Sequence, residues 1–164
     1  MKRSLIVLAL VSSFAAIGSA NAKTTDAKFN VTINVRAGCE FTTLSGINNL
    51  AFGSVAARPL TGSADETLGQ TSFDIQCTVG TAPDIALTSA NGWKMNGIDA
   101  DNTTASIDYA LFSDSSRNSP WDDVSTVTGA TSGNAQNFLV YGKVTDPGRV
   151  AGKFKDVVTV TLTY

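Results

Sequence analysis

Two kinds of residue in this chain could carry covalent or acid–base chemistry: a pair of cysteines and a scatter of aspartates. Cys39 and Cys77 are the only cysteines. They form neither a CxxC redox pair nor a metal-binding cluster. The aspartates that lie nearest one another are the adjacent Asp122 and Asp123 and the looser set Asp99, Asp101 and Asp108. Paired carboxylates can divide acid and base roles, or hold calcium through oxygen, but these lack the regular spacing of a calcium loop and read as solvated loop acids. The chain has no histidine, the commonest general base and metal ligand. It also lacks a GxSxG elbow, an HExxH helix and a phosphate-cradling glycine loop. The chain is therefore expected not to be an enzyme and to need no metal or cofactor. Two sequons, at Asn30 and Asn102, are matches too short to assign a role.

The compartment decides what the cysteines do. Lys2 and Arg3, the apolar stretch 5–17 and then Ala20-Asn21-Ala22 have the three-part layout of a secretory signal peptide, with cleavage expected after Ala22. Residues 1–22 are thus read as a leader, and the remaining 142 as one exported domain. In an oxidising compartment, two cysteines are expected to form the disulfide Cys39–Cys77, stabilising the fold by about 4 kcal/mol in the loop-entropy model. Without the leader's two bases, 10 basic residues face 14 acidic ones, a formal charge of −4. No basic run is present, which argues against nucleic acid as a partner.

Strands must position these residues. Segments 29–35, 50–55, 72–78, 85–89, 106–112, 138–144 and 154–164 alternate apolar and polar residues with period two, and no stretch sustains a helical period. The fold class is all-β. Asn91-Gly92, Asn96-Gly97, Ser132-Gly133-Asn134 and Asp146-Pro147-Gly148 read as turns, the last joining the final two strands as a hairpin. Segments 56–69 and 114–134 read as long polar loops.

The two ends carry the functional signal. In residues 28–36, Phe29, Val31, Ile33 and Val35 fall on one face, with Lys28, Asn30, Thr32, Asn34 and Arg36 on the other. On pattern alone, this is the first edge strand of its own domain. At the other end Phe154, Val158, Val160, Leu162 and Tyr164 form an alternating face, broken by Asp156. A long apolar strand there with an open edge would recruit another chain.

The ordered set Gly38-Cys39, Leu50-Ala51-Phe52-Gly53, Ile75-Gln76-Cys77, the run 107–112, Val140-Tyr141-Gly142, and Ala151-Gly152 through Asp156 to Tyr164 resembles the spore coat protein U domain. That family includes the major subunits of archaic, Csu-type chaperone-usher pili. The likeness covers essentially the whole mature chain, although the loop 93–104 lacks an arginine of the family pattern. It implies an incomplete immunoglobulin-like β-sandwich completed by a donor strand from a neighbouring subunit. By position, residues 23–36 would be the donor extension, with Phe29, Val31, Ile33 and Val35 as its inserted side chains. Residues 37–164 would be the pilin domain, with Phe154, Val158, Val160, Leu162 and Tyr164 on the edge of the acceptor groove. The implied partners are other copies of the chain, a periplasmic chaperone, an outer-membrane usher and a tip adhesin. The implied location is the cell-surface fimbrium, with roles in attachment and biofilm formation.

Two other classes compete. A carbohydrate- or surface-binding module would use loop aromatics such as Trp93 and Trp121, though such residues more often pack into a core. A spore-coat-like surface protein would use the same domain.

Overall fold

The computed structural model describes residues 23–43, 46–58 and 66–164. The expected leader lies outside them. Residues 1–34 and 35–164 divide as separate units. In the first, described residues 23–34 have no regular secondary structure.

In the second unit, the described residues form ten strands and no helix: β1 (Cys39–Phe41), β2 (Thr67–Cys77), β3 (Asp84–Ser89), β4 (Lys94–Gly97), β5 (Ser106–Asp108), β6 (Ala110–Phe112), β7 (Val127–Thr128), β8 (Gln136–Val144), β9 (Phe154–Lys155) and β10 (Val158–Thr163). All named pairings are antiparallel. They make three sheets, in the orders β1-β2-β8-β6, β10-β3-β7 and β5-β4-β9. The all-β expectation holds.

Period-two alternation explains the core. Phe73 and Ile75 of β2, Val140 and Val144 of β8 and Leu111 of β6 turn inward from the first sheet and meet Ile85 and Leu87 of β3. Trp121, expected beside a loop, is 1% exposed and plugs this core, its indole Nε1 donating to the Ile85 carbonyl at 2.9 Å. Burying so large a ring requires a partner for its N–H, and the β3 backbone supplies it.

Several local expectations fail. The Asp146-Pro147-Gly148 turn does not make a hairpin: β8 before it pairs with β2 and β6, whereas β9 and β10 after it pair with β4 and β3. Gly148 does take the left-handed φ of 75° that this turn demands. Asn96-Gly97 lies inside β4, not in a turn, because Gly97 lets the buried Asn102 approach its backbone; a Cβ there would stand 2.1 Å from the Asn102 carbonyl oxygen. Residues 114–134 are not simply a loop, since they supply Trp121 and the short β7 on the edge of β3. Segment 106–112 breaks at Tyr109: its backbone N–H extends the β4–β5 register to the Trp93 carbonyl at 3.1 Å, whereas residues 110–112 pair with β8 in another sheet. Segment 50–55 forms no strand. Neither does segment 29–35.

Candidate functional site

β10 ladders with β3 from Val158↔Ser89 to Thr163↔Asp84, and it stands last in its sheet. Among the described residues, no strand pairs with its other edge. Along that edge runs a groove of about 700 Å³. Val158 and Val160 form one wall, with Phe154 continuing it on β9. The floor is the core itself: Phe73, Val140 and Leu111 from the first sheet, with Leu87 from β3. The floor side chains are themselves buried, and it is the partly buried Phe154, Val158 and Val160 of the wall that leave apolar surface for something to cover.

The opposite wall is Ile47, Leu50 and Phe52. These lie in the irregular segment 46–58, which side-chain packing holds in place. Gly69 and Gly142 face each other across β2 and β8. A Cβ on either would meet the Leu50 Cδ2 at 2.9 Å, so the glycine pair makes the hollow that Leu50 and Phe52 fill. The Thr71 hydroxyl donates to the Asn48 carbonyl at 2.6 Å, and Arg58 ties the far end through its N–H to the Gly148 carbonyl and its guanidinium to Asp146 at 2.8 Å. This wall was not legible as such: Leu50 and Phe52 alternate as a strand would, Gly69 fell in a segment read as a loop, and nothing local shows that the two side chains fill a hollow over Gly69 and Gly142.

At one end of the groove sits a polar cluster. Between Val158↔Ser89 and Lys155↔Asn96, residues 156–157 on one strand face 90–95 on the other, a wide bulge that includes the positive-φ Gly92 and Trp93. Asp156 secures it. Its Oδ2 accepts from the Ser89 and Tyr109 hydroxyls, each at 2.6 Å, and its Oδ1 from the Asn91 amide at 2.8 Å and the Val157 N–H at 2.7 Å. Burial opposes ionisation of this carboxyl, but the donors outweigh it and hold its pKa below the usual range. Burial, then the bond to Asp156, pushes the Tyr109 hydroxyl's pKa well up.

Of the residues singled out for the acceptor edge, Phe154, Val158 and Val160 line the groove. Leu162 packs against the core farther along β10, and Tyr164 is exposed beyond its end. On the N-terminal segment, Phe29, Val31, Ile33 and Val35 are all exposed, Phe29 by 86% and Ile33 by 89%. Cys39 and Cys77 are joined in a disulfide across register partners of β1 and β2, with Cα atoms 4.0 Å apart. Gly38 beside them is clasped by Thr78, whose N–H reaches the Gly38 carbonyl at 2.8 Å and whose Oγ1 accepts from the Gly38 N–H at 3.0 Å.

Three of the aspartates considered for catalysis or calcium have local structural duties. Asp122 accepts from the N–H groups of Val124 and Ser125, Asp99 from Lys153, and Asp108 pairs with Lys94. Asn102 is 1% exposed, its amide donating to the Lys153 carbonyl at 3.0 Å.

Two solved structures share the fold. One is the CsuC–CsuE chaperone–tip adhesion subunit pre-assembly complex from archaic chaperone-usher Csu pili of Acinetobacter baumannii. It is matched at 20% identity and a TM-score of 0.53, over 80% of this chain and 41% of that one. This chain thus spans under half of that neighbour's length. The other is a chaperone-usher pilus structure that addresses rod uncoiling, matched at 14% identity and a TM-score of 0.53 over 92% of this chain and 99% of that one. No curated protein sequence matches. The Spore Coat Protein U domain model matches residues 25–161, taking in the groove, the disulfide and the exposed N-terminal strand pattern. The chain belongs to the Spore Coat Protein U domain family, a family of structural proteins and not of enzymes.

Proposed function

We propose that the chain is a pilin of a chaperone-usher pilus, a structural subunit that polymerises by donating residues 23–36 to the groove of the next copy. The observation that supports this reading is an apolar groove along β10 in a chain that also holds an exposed segment, 29–35, of matching period-two pattern. Val158, Val160 and Leu162 repeat every second residue, as do Phe29, Val31, Ile33 and Val35. A strand added at the edge of β10 would bond to its free backbone groups and place alternate side chains over Phe73, Leu111 and Val140.

Residues 1–22 would be a leader removed on export, and residues 37–164 the accepting body. Before assembly, a periplasmic chaperone would fill the groove, and an outer-membrane usher would exchange it for the next subunit's strand. The product is head-to-tail and open, so it grows as a fibre at the cell surface, bearing a tip adhesin and serving attachment and biofilm formation.

The test is to move residues 23–36 behind Tyr164 on a short linker and compare melting and size-exclusion behaviour with the native order. The rearranged chain is expected to be a stable monomer, while the native order polymerises or melts much earlier. A native chain that is already a stable monomer would sink the reading. The family's description as a coat protein favours a second reading, a protein of a resting cell's surface layer. Neighbouring genes for a chaperone and an usher separate the two.

A further inference from the structure

The inward row along β9 and β10 runs Phe154, Asp156, Val158, Val160, Leu162, with one charge among apolar side chains. The corresponding row on the N-terminal strand is Ala27, Phe29, Val31, Ile33, Val35, Ala37, with an alanine at each end. Cross-strand neighbours in a sheet point to the same face, their Cβ atoms about 5 Å apart, so these two rows would be set against each other.

Pattern alone leaves the register of such a pairing ambiguous. A slip of one residue turns Asn30, Thr32 and Asn34 inward and is excluded by the hydrophobic alternation itself. A slip of two residues keeps the apolar face inward, because Val158, Val160 and Leu162 are nearly interchangeable and so are the four donor side chains. Only a non-uniform position in the row can distinguish these registers. Asp156 is that position, and it belongs to the groove lining.

We propose that Asp156 is a register stop for the incoming strand of a second copy, and that an alanine, Ala27 or Ala37 according to strand direction, is the small residue this stop requires. The inference rests on the donor-strand reading above. When the four apolar donor residues lie against Val158 and Val160 of the groove wall, Leu162 farther along β10 and Tyr164 just past its end, the next inward position beside Asp156 is an alanine in either direction. A two-residue slip toward β9 would instead lay Phe29 or Val35 on the carboxylate. That removes its remaining water and supplies no donor in return, a cost large enough to select one register. The four protein donors to Asp156 hold the carboxylate in place, so it cannot swing aside.

The test uses self-assembly of the full chain, read by size-exclusion chromatography and by detergent-resistant ladders. Full chains carrying Ala27→Phe or Ala37→Phe are prepared, each with and without Asp156→Asn. The substitution that faces Asp156 is expected to slow assembly by at least about tenfold, and Asp156→Asn is expected to relieve that loss. Normal assembly of both phenylalanine chains, or a loss that Asp156→Asn leaves unchanged, overturns the stop. If Asp156→Asn does not fold, the phenylalanine chains still decide the matter on the unaltered acceptor. A Val31→Asp/Ile33→Asp chain is the control: if it assembles normally, the donor reading itself falls. If it fails to assemble while both phenylalanine chains succeed, only the register stop falls.

Discussion

Two segments of similar pattern, near opposite ends of the chain, have different fates. Residues 29–35 alternate cleanly and yet form no strand, with every apolar side chain exposed. β10 alternates in the same way, ladders with β3 and half-buries Val158, Val160 and Leu162. Alternation therefore specifies that one face will be buried, and says nothing about which molecule buries it. β10 has β3 on one edge and, among the described residues, no strand on the other, whereas residues 29–35 pair with no described strand. The fibre reading gives each what it lacks.

The contrast can be broken or sharpened experimentally. The largest effect should come from Cys39→Ala, which unties the N-terminal segment from the body. Loss of the cross-link is expected to lower stability by about 4 kcal/mol and to cut subunit yield far more than it alters fibre geometry, and normal yield and melting would refute this. Next comes the same substitution on each strand. Val160→Asp sets a charge opposite Leu87 and is expected to destabilise the body by about 3 kcal/mol, while Ile33→Asp should leave the monomer's melting unchanged; both should stop assembly. An equal loss of body stability from Ile33→Asp would make residues 29–35 an edge strand of their own domain.

A smaller effect, about 2 kcal/mol, is expected from Tyr109→Phe, which deletes one charge-assisted bond to Asp156 and loosens the bulge that shapes the end of β10. Denaturant titration of the monomer would measure it. The smallest is a pH effect. The Asp156 carboxyl has a lowered pKa in the folded protein, so its contribution is fully present above the unfolded value of about 4 and is lost as pH falls through the folded value. Melting curves should show acid destabilisation below about pH 4, with this portion missing in Asp156→Asn.

What could be read from the sequence followed the period of two. It located the segments that became β2, β3, β8 and β10, and it paired the cysteines. It did not reveal sheet membership, because antiparallel order depends on long-range pairing. The hairpin expected at Asp146-Pro147-Gly148 failed for that reason, with β8 and β10 joining different sheets. Residues 50–55 have the alternation of a strand, but Leu50 and Phe52 are drawn onto Gly69 and Gly142, a hollow whose two halves lie far apart in the chain. The groove shared this difficulty, since its walls come from segments 46–58 and 154–160. Asp156 was visible as a break in the alternation, but its donors Ser89, Asn91 and Tyr109 were not, because they lie 67, 65 and 47 residues away in the chain.

The disulfide sets how such a fibre would bear tension. Pull on one copy would enter at Gly38, pass through the Cys39–Cys77 bond, and run along residues 78–83 into β3. From β3 it would shear across the ladder to β10 and so to the strand held in the groove. The path bypasses β2, β8 and β6 entirely. The chain between the two cysteines, a separation of 38 residues, would be length held in reserve. It could pay out about 130 Å per subunit, and only after the cross-link is cut. Reduction alone would shift the load onto the β2–β8 ladder, and the thread would lengthen only once that ladder yields.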